Sequence, residues 1–222
     1  MLFRSKGCTW ITHIDCDELI DPLRDIQQVL ADSQADVIRY SLFEAVPEQD
    51  EYAHVFMPTL FRKPTSQWQA WTAKALGCSS AFYCDEFFRG HKSSKVLVRL
   101  SPKIYKHGVH RPDEYATDTI FMESHELRLL HYYSTSYSGW KEKYEAHYKE
   151  SLEGYDPEEW FSPSRKKQFH DYVLARDKGE AECSLLYRKI YMVSNPMRRI
   201  LVLLGMLQTV VPNEKHWVSM DD

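Results

Sequence analysis

The pattern of hydrophobic and polar positions divides the chain into an α/β part and a helical part. Short apolar runs bounded by polar or turn residues predict five strands, at 9–15, 36–43, 54–62, 94–100 and 126–134. Beyond residue 134, large apolar side chains recur at helical spacing, beginning with Trp140, Tyr144 and Tyr148. We therefore predict an α/β fold class, with a mixed sheet and flanking helices over 1–134 and a helical extension over 135–222.

Helix-capping and turn residues predict where the helices begin and where the chain is irregular. Asp21-Pro22 is typical of a helix N-cap followed by proline at the first helical position, so a helix is expected to start there. Residues 64–90 show no clear period and predict a long irregular connection. In the helical part we predict three further helices, at 162–176, 180–193 and 195–211.

Composition narrows the class of protein. Of the 222 residues, 43% are hydrophobic and 27% are charged, which is typical of a soluble globular protein. The net charge of −4 argues against a nucleic-acid-binding protein, which would carry a basic excess. The five cysteines form no CxxC pair, and no signal peptide or membrane-spanning run is visible. These features predict a cytoplasmic protein with reduced thiols.

A cluster of acidic residues follows the first predicted strand. Asp15, Asp17 and Glu18 lie within one four-residue stretch, DCDE. On an extended backbone the side chains of residues i and i+2 point the same way, so Asp15 and Asp17 are expected to face one spot. Two carboxylates on one side suit Mg²⁺ or Mn²⁺, with water and substrate phosphates completing the shell. The alternative is a solvated strand end that caps the next helix.

Several motifs resemble those of bacterial glycosyltransferase family 2-like proteins. Residues 10–20, WITHIDCDELI, resemble the signature W-hydrophobic-D-x-D-E-F of that family, with Leu19 in place of an aromatic residue. Residues 92–99, KSSKVLVR, resemble its K-S-x-K-x-x-x-R strand. Residues 108–112, GVHRP, resemble its G-V-H-x-P turn, and LHYYS at 130–134 resembles its x-H-Y-x-x-x-S segment. The resemblance covers roughly residues 1–150, in the expected order.

This resemblance implies a sheet of the GT-A type, a nucleotide-sugar donor, a divalent metal and a glycan or polysaccharide acceptor. It implies that Asp17 is a direct metal ligand, that Asp15 holds the ribose or shares the metal, and that His110 completes the metal site. The family has a further stretch before the acid motif, which builds the nucleotide pocket. The resemblance therefore implies that this α/β region is incomplete at its N-terminal side.

Basic and acidic residues elsewhere supply candidates for the rest of the site. Lys95 and Arg99 share one face of a predicted strand and could neutralise a diphosphate; the alternative is a solvated or ion-paired edge strand. Asp85 and Glu86 lie in the irregular stretch and are candidates for the base of an inverting transfer, with an ordinary polar loop as the alternative. His131 could orient the site or belong to the core.

The sequence leaves alternatives for two surface features and for the function as a whole. Trp68 and Trp71 predict a sugar-stacking platform or core packing. The basic residues near the apolar segment 197–211 predict either peripheral contact with an anionic membrane, such as an inner membrane, or packing within the protein. Two hypotheses compete with the glycosyltransferase function. One is a metal-dependent phosphohydrolase, and the other is a non-catalytic module, either a truncated relic or a subunit of a split enzyme.

Overall fold

The computed structural model describes residues 8–90, 93–154 and 161–212. Residue 92 of the predicted basic motif and the end of the predicted helical extension lie outside these ranges. The chain forms two compact units. The described residues of the first unit are 8–43, 93–131 and 211–212, and those of the second are 44–90, 132–154 and 161–210. Each unit is therefore assembled from stretches that are far apart along the chain.

The first unit contains most of the strands. Its elements are β1 (Trp10–Thr12), β2 (Glu18–Pro22), helix α1 (Ile26–Asp32), most of β3 (Val37–Ala45), β5 (Val96–Arg99), β6 (Ile104–Lys106), β7 (Glu114–Tyr115) and β8 (Phe121–His131). Strand β5 pairs antiparallel with both β1 and β3, and β2 pairs antiparallel with β8. The small β6–β7 ribbon lies outside this sheet.

Strands β3 and β8 run in the same direction, which makes the sheet mixed. The Val37 N–H donates to the Ile120 carbonyl at the start of both strands, and the Ser41 hydroxyl donates to the Ser124 carbonyl further along both. A parallel pair needs a crossover connection, and here the long excursion between residues 45 and 120 supplies it. The predicted α/β class with a mixed sheet and flanking helices is confirmed.

The second unit contains most of the helices. Its elements are the last two residues of β3, β4 (Leu60–Arg62), α2 (Gln67–Ala75), a 3₁₀ turn (Ser79–Ala81), α3 (Tyr137–Leu152), α4 (Pro163–Lys178), α5 (Glu180–Tyr191), α6 (Asn195–Leu203) and β9 (Leu207–Thr209). Helices α3, α4 and α5 pack around the fully buried Trp140, whose ring lies against several tyrosine rings, including Tyr144, Tyr172 and Tyr187. The predicted helical C-terminal region is thus confirmed.

The predicted helix start at Asp21-Pro22 is wrong. Both residues belong to β2, where Asp21 pairs in register with Arg128 of β8 and accepts a hydrogen bond from its guanidinium. Helix α1 begins at Ile26 instead, capped by the Asp25 side chain, which accepts from the Gln28 N–H. The local N-cap pattern was overridden because pairing with β8 satisfies the backbone and the buried carboxylate at once.

Two further predictions are wrong because of local capping and turn geometry, which the hydrophobic periodicity does not show. The stretch 64–90 is not irregular throughout, because Ser66 and Gln69 form a capping box that starts α2. The last helix ends at Leu203 rather than Val211, since Gly205 takes a positive φ of 67° and the chain turns into β9. Strand β9 then pairs with β4, so the long apolar run is shared by a helix and a strand.

Candidate functional site

The acidic cluster forms a tight turn between β1 and β2, here called the acid turn (residues 15–18). The Glu18 N–H donates to the Asp15 carbonyl at 3.1 Å, and the Asp15 N–H donates to the Glu18 carboxylate at 2.8 Å. The Glu18 side chain is fully buried, whereas Asp15 is 44% exposed and Asp17 is 33% exposed. Two carboxylates therefore open to solvent, and the third forms the floor beneath them.

The buried Lys95 side chain holds Asp15 from below. Its Nζ lies 2.8 Å from Asp15 Oδ2 and 3.8 Å from Glu18 Oε2, and the side chain is only 1% exposed. Partial burial raises the pKa of Asp15 and the like charge of Asp17 adds to this, but the hydrogen bond and charge of Lys95 outweigh both and lower it. The ion pair matches part of the alternative to diphosphate binding by Lys95, but β5 lies between β1 and β3 and is not an edge strand.

Strand β8 supports the other exposed carboxylate. His131 is buried at the end of β8, directly opposite Glu18 in the β2–β8 pair, and its Nε2 lies 3.6 Å from Asp17 Oδ2. Each open carboxylate is thus backed by a buried cationic or imidazole side chain from another strand. Such supporting contacts fix the direction in which the oxygen atoms of a metal-binding carboxylate point.

A groove of about 500 Å³ borders the acid turn. Its floor is the apolar face made by Ile11, Val96 and Val98, and His13 forms its rim next to Asp15. The outer wall is a loop, residues 107–113, from which His107, Gly108, Val109 and Asp113 line the groove. No described residue of the acid turn lines the groove itself, and the contact of 3.2 Å between His13 Nε2 and Asp15 Oδ1 connects the two.

The 107–113 loop is tightly closed on itself. A side-chain carbon added at Gly108 would lie 2.2 Å from the Arg111 carbonyl and 2.5 Å from Asp113 Oδ1, so only glycine fits. His110 Nδ1 lies 3.3 Å from the carbonyl of Ser94, the residue before Lys95. His110 is therefore anchored at the entry of β5, one residue from the lysine that holds Asp15.

The described part of the chain brings no three His, Cys, Asp or Glu residues together as a possible metal site. Asp15 and Asp17 are close enough for their charges to repel each other, and His110 stays a proposed third ligand. Two carboxylates leave most of the shell of Mg²⁺ or Mn²⁺ to water and substrate oxygens, which is the usual arrangement for Mg²⁺ bound with a phosphate ligand. The donor set thus fits a hard cation held jointly with a substrate.

Arg99 does not point at the acid turn. Its guanidinium donates to the Ala35 and Ser33 carbonyls at 3.1 and 2.8 Å, beyond the end of α1, and stacks over the Trp10 ring at 4.4 Å. Cationic donors near a helix C-terminus satisfy its last carbonyl groups. In this structure Arg99 joins β5 to the end of α1 and to β1.

Asp85 and Glu86, the predicted base candidates, belong to the second unit. Asp85 has a positive φ of 61° and a side chain that is 91% exposed, and Lys74 lowers its pKa through a hydrogen bond and its charge. Glu86 accepts a hydrogen bond from the Ser164 hydroxyl at 2.8 Å. A lowered pKa makes Asp85 a weaker proton acceptor than an ordinary aspartate.

The structure also shows how exposed the predicted tryptophan and membrane-contact residues are. Trp68 and Trp71 lie on one face of α2 with 67% and 69% of their area exposed, so the core-packing alternative is wrong for both. On α6, Val202 and Leu203 are exposed, and Arg198 forms an ion pair with Glu48. Among the described residues, no helix has the length and apolar content that crossing a bilayer requires.

The sequence did not identify Glu18 as part of the floor. From its position directly after Asp15 and Asp17, Glu18 is expected to be one more exposed carboxylate. Only the pairing of β2 with β8 shows that it is buried. The available signal was the apolar run Leu19-Ile20 that follows it, which places Glu18 at the start of a strand.

Comparison with known proteins gives one weak relationship. A protein of Arabidopsis thaliana described as glycosyltransferase-like is 25% identical over 142 residues, which cover 61% of this chain and 32% of that protein. The chain therefore spans about a third of the length of the curated relative that it matches. No protein-family model matches the chain. No solved structure matches it either. The relationship supports a glycosyltransferase-like function at a coarse level.

Proposed function

We propose that this chain carries the metal-binding and sugar-transfer region of a glycosyltransferase that uses a nucleotide-sugar donor and a hydroxyl acceptor on a glycan. The observation that carries the proposal is the acid turn itself, in which two exposed carboxylates are held from below by Lys95 and His131 beside an open groove. The glycosyltransferase-like relative supports the same class of reaction.

In this proposal Asp17 and Asp15 would hold Mn²⁺ or Mg²⁺, and the donor diphosphate would bind to the same ion. Lys95 keeps Asp15 ionised and pointed outward, and His131 orients Asp17. The metal, when bound, neutralises the charge that develops on the diphosphate as the sugar–phosphate bond breaks. His110 remains a candidate third ligand, and the remaining positions are assigned to phosphate oxygens and water.

The acceptor hydroxyl must lose a proton as its oxygen bonds to the anomeric carbon. We assign that proton to Asp85 or Glu86, and we propose inversion at the anomeric carbon with an oxocarbenium-like transition state. The Asp85→Asn and Glu86→Gln variants test this, because loss of the base should lower turnover by about 100-fold or more without changing metal affinity. Equal turnover in both variants and the parent protein would remove both residues from the mechanism.

The two alternative hypotheses, a phosphohydrolase and a non-catalytic module, make different predictions. A two-metal phosphohydrolase needs a larger cluster of acidic ligands, and the described residues contain no such cluster. A non-catalytic module should bind neither metal nor nucleotide. Because the chain spans about a third of the length of that relative, the test measures binding of a metal and a nucleoside diphosphate rather than turnover of a whole donor.

The deciding experiment is calorimetric titration of the full chain with Mn²⁺, in the presence and absence of UDP or GDP. We expect Mn²⁺ to bind, more tightly when the diphosphate is present, and Asp17→Asn to abolish the binding. Asp32→Asn is the matched control, since Asp32 is an exposed carboxylate of the same unit, paired with Arg24. Binding that survives Asp17→Asn, or no binding to the parent protein, contradicts the proposal.

We also propose peripheral contact between α6 and an anionic bilayer. The exposed Leu203, at 87%, and Val202, at 45%, support it, and Arg199 adds an exposed positive charge nearby. Sedimentation with anionic vesicles tests the contact: Leu203→Asp should abolish binding, and unchanged binding of that variant would exclude α6 as the contact.

A further inference from the structure

A second pocket lies on the same sheet face as the groove beside the acid turn. It has a volume of about 250 Å³, and its apolar lining comes from Val37, Val96, Phe121 and Met122. Two arginines complete it, Arg39 from β3 and Arg111 from the 107–113 loop. We call it the arginine pocket.

The arginine pocket and the groove are neighbours within the first unit. Val96 lines both, and it lies directly opposite Arg39 in the β3–β5 pair. The 107–113 loop also contributes to both, with His107 and Gly108 in the groove and Arg111 in the pocket. One loop therefore crosses one sheet face and leaves a binding space on each side of it.

The two guanidinium groups give the pocket its ligand preference. Among the described residues that line it, Glu123 alone is acidic, and its carboxylate lies 3.7 Å from Arg39 Nη1. Both partners of that pair are well exposed, at 49% and 75%, and an exposed pair at this distance contributes little stability. Arg39 is therefore available to a stronger anionic partner. Arginine binds carboxylate and phosphate groups through two parallel hydrogen bonds.

The size and the floor of the pocket limit the rest of the ligand. Its volume is smaller than the roughly 300–1,000 Å³ typical of pockets for drug-sized ligands, so one sugar ring fits better than a whole nucleotide sugar. Phe121 and Met122 remain 47% and 37% exposed, which leaves an apolar surface for the C–H face of a ring. The ligand is thus compact and carries an anionic group.

We propose that the arginine pocket binds a monosaccharide unit bearing a carboxylate or a phosphate group, as a subsite for an acidic acceptor glycan. This assignment rests on the proposed transferase function, and it names the substrate class of that site. Arg39 and Arg111 bind the anionic group, and the apolar lining contacts the ring.

The test is ligand-observed NMR on the full chain with D-glucuronate, glucose monophosphate and methyl glucoside as probes, in the presence of a metal chelator. We expect at least one anionic probe to bind and the neutral glucoside to bind at least tenfold more weakly. Arg39→Met and Arg111→Met should each weaken anion binding by about tenfold or more, the effect expected for losing a charge-assisted hydrogen bond. The stronger of the two anionic probes identifies the carboxylate or the phosphate as the natural group.

Two further variants make the outcome decisive. Arg24→Met removes another arginine of the same unit, one paired with Asp32 and Glu126, and should leave probe binding unchanged. Arg39→Lys keeps the charge but loses the planar fork, so it should bind more weakly than the parent protein. Equal binding of neutral and anionic probes, or full binding after both arginines are replaced, overturns the assignment.

The experiment also separates this inference from the proposed function. Asp17→Asn should abolish Mn²⁺ binding and leave binding of the anionic sugar intact, because the probes are tested without metal. If Mn²⁺ binds as proposed but no anionic sugar does, only the subsite fails. If anionic sugars bind and Mn²⁺ does not, the transferase assignment fails while the arginine pocket stands as an anion site.

Discussion

The ammonium group of Lys95 lies 2.8 Å from the carboxylate of Asp15, although the two residues are 80 positions apart in the chain. The contact joins the start of β5 to the acid turn after β1, and it is almost closed to solvent on the lysine side. Because Lys95 also lies 3.8 Å from the buried Glu18, one ammonium group contacts both a proposed metal ligand and the buried carboxylate beneath it.

Replacing Lys95 with methionine should destabilise the protein by about 3 kcal/mol, because Glu18 would remain buried without its cation. Urea unfolding measures this change. Lys106→Met is the control, since Lys106 is exposed and its pair with Asp113 spans 3.6 Å, so it should cost less than about 1 kcal/mol. Similar losses in both variants would show that the Lys95 contact contributes no special stability.

The lowered pKa of Asp15 predicts a pH dependence with a definite sign. A carboxyl whose pKa is lower in the folded state stabilises the fold above its unfolded pKa, here about 3.8, and this stabilisation is lost as the pH falls further through the folded pKa. Carbon-13 NMR titration of the Asp15 carboxyl should therefore give a midpoint below 3.8. In Lys95→Met the midpoint should rise above that of the parent protein, and an unchanged midpoint would contradict the assigned cause.

The buried carboxylate of Glu44 predicts a large loss of stability on substitution. Glu44 accepts hydrogen bonds from the Arg62 side chain and from the backbone N–H groups of Arg89 and Gly90, all in the second unit. Burial, with repulsion from Arg62, lowers the pKa of Arg89 to about 9, even though the charge of Glu44 raises it. Removing the Glu44 charge would therefore make the buried Arg89 cation still less favourable.

Glu44→Gln should therefore cost about 3–5 kcal/mol, because two buried arginines would lose their counter-ion. Chemical denaturation measures it, with Glu48→Gln as the control, since Glu48 forms a partly exposed pair with Arg198. A cost of Glu44→Gln no greater than that of the control would mean that the arginines are satisfied by backbone carbonyls alone.

Gly108→Ala should impair binding at both the groove and the arginine pocket. The added carbon would overlap the Arg111 carbonyl, so the 107–113 loop must open. Binding of Mn²⁺ with a diphosphate and of an anionic sugar should both weaken. Gly77→Ala is the control: it introduces strain at a positive φ of 84° in the second unit without a close contact, and it should cost about 1–2 kcal/mol without affecting binding.

The exposure of Trp68 and Trp71 predicts that both can be replaced at little cost. The Trp68→Ser and Trp71→Ser variants should each change the free energy of unfolding by no more than about 0.5 kcal/mol, since neither ring is buried. If the two rings form a sugar-stacking platform, intrinsic tryptophan fluorescence should shift on adding a polysaccharide, and the double variant should lose that response. A stability loss of several kcal/mol would contradict the exposed positions.

The sequence by itself determined the fold class, the helical C-terminal region and the approximate positions of five of the nine described strands, because these depend on local periodicity. It missed the strands β2, β6, β7 and β9. It also located the acid cluster, since a carboxylate triplet after an apolar strand is a local signal. It misplaced the start of α1, because the Asp21-Pro22 pattern suits a helix cap and only pairing with β8 makes it a strand.

Only the tertiary structure decided which charged residues meet. Lys95 and Arg99 are equivalent in the pattern, yet Lys95 lies under Asp15 while Arg99 reaches the carbonyls beyond α1. The burial of Glu18 and the position of Arg111 beside Val96 likewise depend on strands and loops that are distant in sequence. Long-range pairing and burial set these contacts, and the spacing of residues along one strand does not contain that information.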